Sequence, residues 1–362
     1  MRRQYADPIF AREKVRRVRR WPVVTALMLI IVITGLALVN GFINRQVQLI
    51  RQSVTIPSLS GDLEGFRILH ISDLHGAVFG HGQEGIEKAL LSVRYNAVVI
   101  TGDSLPEDGN DAPLMELIAL LDRTVPVFLV AGDEDPLPIQ SAPHETGGVK
   151  ASYIERAESF GAIYLDAPYP ITVGRSVLWL CPAYVYDTDI ANARRSMQDT
   201  RRSLLSAPED ASSAASLAAV DYYLDRIDRA EAALLQMKSG DYKICVTHAP
   251  YPDEGLAELR YNVSEGLINN ARPVSLVLAG HYNNGQFLLP GLGAVRVPAR
   301  LGLSGQDAWF FRKPLSGLDT LYGISQYISP GLGAAQIYAP FSVRFLNPPA
   351  ITLITLTSKL VY

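Results

Sequence analysis

Five short apolar runs in this chain each lead into an aspartate or a histidine, and this repetition is the strongest constraint on its fold. The first run, Ile68–Ile71, is followed by Asp73-Leu74-His75. On an extended backbone, side chains two residues apart point to the same side, so Asp73 and His75 are predicted to reach one metal ion. A capped strand end would explain any one of these endings alone. The other four runs end at Asp103, Asp133, His248 and His281.

Predicted helices separate the first three runs. Strands are predicted over Phe66–Ile71, Ala97–Thr101 and Val125–Val130, with helices over Gly82–Tyr95 and Pro113–Asp122 between them. Alternation of this kind is typical of βαβ units, in which functional groups lie at the carboxyl ends of the strands. Because parallel strand ends meet at one rim, the six Asp and His residues are predicted to form one cluster.

Such a cluster favours two divalent cations over one. Three carboxylates packed together would otherwise raise one another's pKa. A two-metal site activates water and clamps the oxygens of a phosphoryl group during in-line displacement. The sequence therefore predicts metal-dependent phosphoryl chemistry at this rim.

The N-terminal segment predicts a membrane anchor. Trp21–Ile43 is a stretch of 23 residues without a charge, which at ~1.5 Å rise per residue spans a hydrocarbon core of ~30 Å. A cleavable signal peptide is the rival interpretation, but it would have a shorter apolar region and a small-residue cleavage site. Residues 1–20 are strongly basic, so this tail is expected in the cytoplasm and the main domain outside.

The chain is therefore divided into a basic cytoplasmic tail (1–20), a transmembrane helix (21–43), a linker (44–62) and one domain (63–362). With the basic tail set aside, the rest of the chain is acidic, which argues against a nucleic-acid partner. Cys181 and Cys245 lie in apolar runs and are interpreted as core residues, with their pairing left open. A set of arginines could contact an anionic substrate, although a solvated face is the simpler interpretation: Arg194, Arg195, Arg201 and Arg202.

Taken in order, these motifs resemble those of the calcineurin-like metallophosphoesterases, in their membrane-anchored, YkuE-like bacterial branch. The family's blocks are D-x-H, G-D, G-N-H-(D/E), H and G-H-x-H. Here they read Asp73-Leu74-His75, Gly102-Asp103, Gly132-Asp133-Glu134-Asp135, Thr247-His248 and Gly280-His281-Tyr282-Asn283. The likeness extends from Leu63 to about Thr357, and it implies a four-layer α/β/β/α sandwich, an α/β fold, after the N-terminal transmembrane helix.

The resemblance also implies roles for individual residues. Asp73 and His75 would bind the first metal, completed by Asn283. His248, His281 and Asp133 would bind the second, and Asp103 would bridge both ions. Three positions depart from the family pattern, in which Asp133 is Asn and both Glu134 and Asn283 are His. The two altered ligands are oxygen donors, which favours Mn²⁺ or Mg²⁺, with Zn²⁺ or Fe as alternatives.

Glu134 occupies the position of the family's general-acid or substrate-steering His, so Asp103 and Glu134 are the expected catalytic residues. Beside two cations Glu134 should stay ionised, and the loss of proton donation matters least for good leaving groups such as pyrophosphate or phenolate. We expect an extracytoplasmic phosphoesterase acting on a phosphorylated small molecule or lipid, including cell-envelope phosphoesters and pyrophosphates. The alternative is a catalytically degenerate member of the fold that acts as a binding module.

Overall fold

The structure is a computed structural model that describes residues 21–140, 149–206, 210–261, 267–302 and 306–359. The chain forms two compact units, one up to Phe42 and one from Ile43 onward. The basic tail predicted over 1–20 lies outside the described residues.

Helix α1 of the first unit spans Trp21–Ile43, the bounds predicted for the transmembrane segment. It carries no charge, and none of its side chains is buried. A helix that is apolar on every face is suited to lipid rather than to the surface of a soluble protein. By length and composition, α1 could cross a membrane.

The second unit alternates strands and helices. Its helices are α2 Glu84–Leu90, α3 Ala112–Leu120, α4 Ser152–Ser159, α5 Tyr184–Asp187, α6 Ile190–Leu205, α7 Ala211–Gln236 and α8 Asp253–Tyr261. Its strands are β1 Gln48–Thr55, β2 Arg67–Ile71, β3 Ala97–Thr101, β4 Val127–Val130, β5 Ala162–Tyr164, β6 Tyr169–Val173, β7 Ser176–Pro182, β8 Tyr242–Val246, β9 Leu276–Ala279, β10 Leu288–Leu289, β11 Gly293–Val297, β12 Ala308–Phe311, β13 Gly317–Leu321, β14 Ile324–Ile328 and β15 Ala350–Thr357.

Two mixed sheets of six strands each form the body of this unit. The first has the order β1-β15-β2-β3-β4-β5, and β2 to β5 run parallel. The second has the order β13-β14-β9-β8-β7-β6, with β14, β9, β8 and β7 parallel. A small antiparallel sheet, β10-β11-β12, accompanies them. Each large sheet therefore has a parallel centre whose carboxyl ends meet at one edge.

The core shows why these residues form layers. In β3, Ala97 and Val99 pack with side chains of the second sheet such as Leu178, whereas Val98 and Ile100 pack against the helices outside the first sheet. This alternation follows the period of two in an extended strand. Helix α7 covers the outer face of the second sheet. Burying each aliphatic side chain contributes about 1.5–3 kcal/mol. Two sheets pack against each other and helices cover their outer faces, which confirms the predicted four-layer sandwich.

Some segments differ from the sequence-based description. Residues 48–55, placed in a linker, form β1 and pair in parallel with β15 over eight residues. Strand β1 lies at the edge of the sheet, and Val54 is its only buried residue. Because its other residues are at least partly exposed, the sequence of β1 is as polar as that of a linker. Helix α2 ends at Leu90, earlier than the predicted helix over Gly82–Tyr95.

Helix α6, which carries the four arginines discussed above, was not predicted from the sequence. None of its side chains is buried, and it is held to α7 by ion pairs, with 2.6 Å between Arg194 and Asp228 and 2.6 Å between Arg201 and Asp221. These pairs agree with the solvated-face interpretation of the arginines. Cys181 and Cys245 are register neighbours in β7 and β8, and both are buried free thiols.

Candidate metal centre

Two groups of side chains meet where the parallel strands of both sheets end. One group is Asp73, His75 and Asp103, and the other is Asp103, Asp133, His248 and His281. Within each group the candidate ligand atoms lie within 4.8 Å of one another. Asp103 belongs to both groups, so the arrangement can hold two ions that share one carboxylate.

The backbone at these residues is turned rather than extended. Asp73, His75 and Asp103 have φ angles of 53°, 44° and 49°, in the left-handed region, which costs about 1–3 kcal/mol per non-glycine residue. The prediction that Asp73 and His75 share one side of an extended strand is therefore wrong. Instead, the Asp73 N–H donates to Gly102 O (3.0 Å) and the His75 N–H to Asp103 O (2.9 Å), which fixes this turn along the Asp103 loop.

Asp73 is the buried carboxylate of the first group. Asp73 Oδ1 accepts a hydrogen bond from the His281 N–H (2.9 Å), and the Ser72 hydroxyl donates to Oδ2. Burial raises the pKa of Asp73. His75 Nε2 lies 3.8 Å from Asp103 Oδ2, and its Nδ1 lies 3.4 Å from Glu134 Oε2. A carboxylate at Nδ1 favours the tautomer that leaves Nε2 free as a ligand.

The second group is centred on Asp133, whose side chain is exposed to the cleft. Its Oδ1 lies 2.9 Å from His248 Nε2 and 3.0 Å from His281 Nδ1. Burial acts to raise the pKa of Asp133, but hydrogen bonds from the two histidines hold it well below its usual range. His248 Nδ1 donates to the Thr101 carbonyl (2.7 Å), so its Nε2 faces Asp133 and Asp103.

The donor set fits divalent cations. Ligands about 2.1 Å from one ion lie roughly 3.0–3.4 Å apart, and the separations around Asp133 and His248 are close to this range. Asn283 Oδ1 is buried and has no hydrogen-bond partner within the described residues, and leaving such an acceptor unpaired costs about 1–3 kcal/mol. The amide of Asn283 lies beside the first group, with its Nδ2 at 3.2 Å from His75 Nε2.

Two glycines let the backbone approach the carboxylates closely. A Cβ at Gly132 would lie 2.0 Å from Asp103 Oδ1, and a Cβ at Gly280 would lie 2.6 Å from Asp73 Oδ2. Both distances are far below van der Waals contact, so any side chain here would displace a candidate ligand. The clustered Asp and His side chains can therefore hold metal ions.

Asp135, which is not among the predicted site residues, joins the loops that carry the candidate ligands. Its Oδ1 accepts hydrogen bonds from the backbone of Ser104 (2.8 Å) and Leu105 (2.9 Å), and its Oδ2 accepts one from Gly132 (2.9 Å). Asp135 is buried, so the Asp103 loop and the Asp133 loop are held together by one carboxylate.

Arg344 organises the glycine-rich loop behind the first group. Its buried guanidinium donates to the carbonyls of Asn347 (2.9 Å), Gly333 (2.9 Å) and Pro330 (3.0 Å). The Gly333 N–H in turn donates to Asp73 O (2.6 Å). Burial lowers the pKa of Arg344 to about 10, which leaves it charged at neutral pH. Arg344 was not among the site residues predicted from the sequence.

Comparison with known proteins points to one family. The calcineurin-like phosphoesterase family matches residues 66–283, which include all seven candidate ligands. Among solved structures, the phosphopantetheinyl hydrolase from Mycobacterium tuberculosis is similar at 13% identity and a TM-score of 0.34, over 74% of this chain and 89% of that chain. No curated protein matches this chain.

Proposed function

Because the chain belongs to the calcineurin-like phosphoesterase family and is a hydrolase of the phosphoesterase type, we propose that it is a membrane-anchored, extracytoplasmic member of the YkuE-like branch that hydrolyses a phosphoester or a pyrophosphate. The observation that carries the proposal is the sharing of Asp103 by two ligand groups. Two ions held close together by a shared carboxylate could clamp the attacking and leaving oxygens of a phosphoryl group.

The proposed ligands divide into two sets around Asp103. The first ion would be held by Asp73, His75 and Asn283, and the second by Asp133, His248 and His281. Oxygen donors at Asp133 and Asn283 favour Mn²⁺ or Mg²⁺. When bound, the two cations lower the pKa of water and stabilise negative charge on the phosphoryl oxygens.

The chain's own residues fix the geometry of this centre. The Glu134 N–H donates to Asp103 Oδ1 (2.9 Å), which leaves Asp103 Oδ2 directed at His75 and His248. The Glu134 carboxylate beside His75 Nδ1 supports an orienting role, in which Glu134 accepts a hydrogen bond and does not donate a proton. Substrates whose leaving groups need no protonation, such as pyrophosphates and phenolic esters, are the best match.

The proposed location rests on the N-terminal segment. Helix α1 has the length and composition of a membrane span, and the basic residues before it favour a cytoplasmic N-terminus. This orientation puts the phosphoesterase domain outside the cytoplasm, where a lipid-linked or cell-envelope phosphoester is the proposed substrate.

The test uses the full-length protein in detergent micelles with Mn²⁺ and bis-p-nitrophenyl phosphate. Asp103→Ala should lower the rate by at least about 10²–10³-fold, and elemental analysis should find two metal ions per wild-type chain and fewer in the variant. Asp122→Ala, at an exposed turn, is the matched control and should behave as wild type.

Equal rates for Asp103→Ala and the wild type would overturn the hydrolase proposal. Fewer than one metal ion per wild-type chain, together with no Mn²⁺-dependent rise in Tm, would instead favour a degenerate binding module.

A further inference from the structure

The cleft at the metal centre extends well beyond the candidate ligands. It has a volume of about 1200 Å³, and its wall includes Asp133, His248 and His281. Another part of the wall comes from the end of β5 and from helices α5 and α7, and it includes Tyr184 and Arg226. A phosphoryl group fills only a small part of this volume, so the remainder is available to other parts of a substrate.

Arg226 is held in this wall by aromatic side chains. Its guanidinium carbon lies 4.1 Å from the ring centroid of Tyr184 and 4.9 Å from that of Tyr223. Both distances are within the range of cation–π attraction. Stacking of this kind fixes the plane of a guanidinium while its N–H edge stays available for a planar anion.

The charge of Arg226 is not matched by a carboxylate. Within the described part of the chain Arg226 forms no ion pair, and its buried Nε has no hydrogen-bond partner. The nearby Arg229 differs, because it is paired with Asp166 at 2.7 and 2.9 Å. Asp166 also accepts a hydrogen bond from Tyr222.

The carboxylate of Asp166 is therefore paired with Arg229 and Tyr222 rather than with Arg226. Burial acts to raise its pKa, but the hydrogen bonds from Arg229 and Tyr222 keep it below its usual value, so the carboxylate is charged and paired. The remaining acidic side chains of the cleft wall lie on α8 and β13, and the structure pairs none of them with Arg226: Asp253, Glu254 and Asp319.

We propose that Arg226 is an anion subsite that binds a second phosphate group of the substrate, distinct from the phosphate at the metal ligands. A half-buried cation without a counterion gains most from an anion that enters the cleft, and a guanidinium can donate two parallel hydrogen bonds to one phosphate. The inference rests on the proposed function and narrows its substrate class to molecules with two phosphate groups.

The test measures binding rather than hydrolysis. Alkanediol bisphosphates of increasing chain length are each compared with the alkyl monophosphate of the same length by calorimetric titration of full-length protein in micelles with Mn²⁺. Alkyl phosphates are poor substrates for a site without a general acid, so they serve as ligands. At the chain length that spans the two sites, the bisphosphate should bind about tenfold more tightly than the monophosphate.

Variants assign this preference to one side chain. Arg226→Gln should abolish it, and Arg226→Lys should retain part of it, because lysine keeps the charge without the planar fork. The matched control is Arg201→Gln, whose guanidinium pairs with Asp221 away from the cleft wall and which should keep the full preference. Thermal unfolding of each variant verifies that it is folded.

Absence of a bisphosphate preference at every chain length would overturn the proposal, as would a full preference in Arg226→Gln. Lys313 is another cation of the cleft wall, and loss of the preference in Lys313→Gln instead would assign the anion to that part of the wall and would also overturn the proposal. Hydrolysis without a bisphosphate preference would refute the subsite alone. An Arg226-dependent preference in a protein without hydrolytic activity would refute the hydrolase alone.

Discussion

Replacing Asp135 with asparagine changes one atom of the side chain and should loosen the junction between the two loops that carry Asp103 and Asp133. The carboxylate accepts three backbone hydrogen bonds of 2.8–2.9 Å. The asparagine oxygen can keep the two bonds that reach Asp135 Oδ1. Its NH2 group then faces the N–H of Gly132, where two donors oppose each other.

The magnitude follows from what is lost at Gly132. A lost hydrogen bond to a charged group and a buried N–H without an acceptor together cost about 2–4 kcal/mol. Burial raises the pKa of Asp135, which means that the folded protein disfavours its charge, and removing that charge offsets part of the loss. We expect a net destabilisation of about 2 kcal/mol, or a decrease in Tm of about 3–6 °C for a domain of this size.

The assay is thermal unfolding of the full-length protein with and without Mn²⁺. Because Gly132 adjoins Asp133, Asp135→Asn should also reduce the Mn²⁺-dependent rise in Tm. Asp122→Asn is the control, since Asp122 likewise accepts a backbone hydrogen bond, from Thr124 (2.9 Å), but at an exposed turn. An Asp135→Asn protein with wild-type Tm and a wild-type response to Mn²⁺ would refute the reasoning.

Three further predictions concern the metal centre itself. Asn283→His replaces a neutral oxygen with an imidazole, and the Zn²⁺ to Mn²⁺ ratio bound in competitive loading should rise; an unchanged ratio would contradict this. Gly280→Ala places a Cβ against Asp73, so Mn²⁺ titration should show weaker binding at one site, whereas two wild-type affinities would count against it. Glu134→His supplies a proton donor and should speed alkyl phosphomonoester hydrolysis about 10²-fold, with little change for p-nitrophenyl esters; equal gains on both would argue against a general-acid role.

The layered architecture could be predicted because its central strands are buried on both faces. Strand β3 was predicted with the same bounds, Ala97–Thr101, that the structure has, since an apolar run of this length fits a buried strand. The missed elements lack that signal. Strand β1 is an edge strand with one buried side chain, and α6 has none, so both depend on partners that are distant in sequence.

The candidate site could be predicted as a set of residues but not as a geometry. Convergence of parallel strand ends brings Asp73, Asp103 and His248 to one rim, whereas the left-handed turns at Asp73 and Asp103 do not follow from a period of two. The contacts that arginine side chains make with distant loops could not be predicted from the sequence either. Arg226 and Arg229 lie three residues apart on α7, and only the fold places Asp166 beside one of them and the cleft beside the other.

One departure from the family pattern, Asp133, affects how the site would bind metal ions. Asp133 adds a third carboxylate to a cluster that already contains Asp73 and Asp103, and without cations the like charges would repel one another. In the metal-free protein, hydrogen bonds from His248 and His281 offset this repulsion and hold the pKa of Asp133 well below its usual range, so its charge stabilises the fold. Divalent cations would favour the same charge, because a carboxylate is a stronger ligand for them than a neutral amide. Asp133→Asn should therefore weaken Mn²⁺ binding and also lower the Tm of the metal-free protein, and a higher metal-free Tm would contradict this prediction.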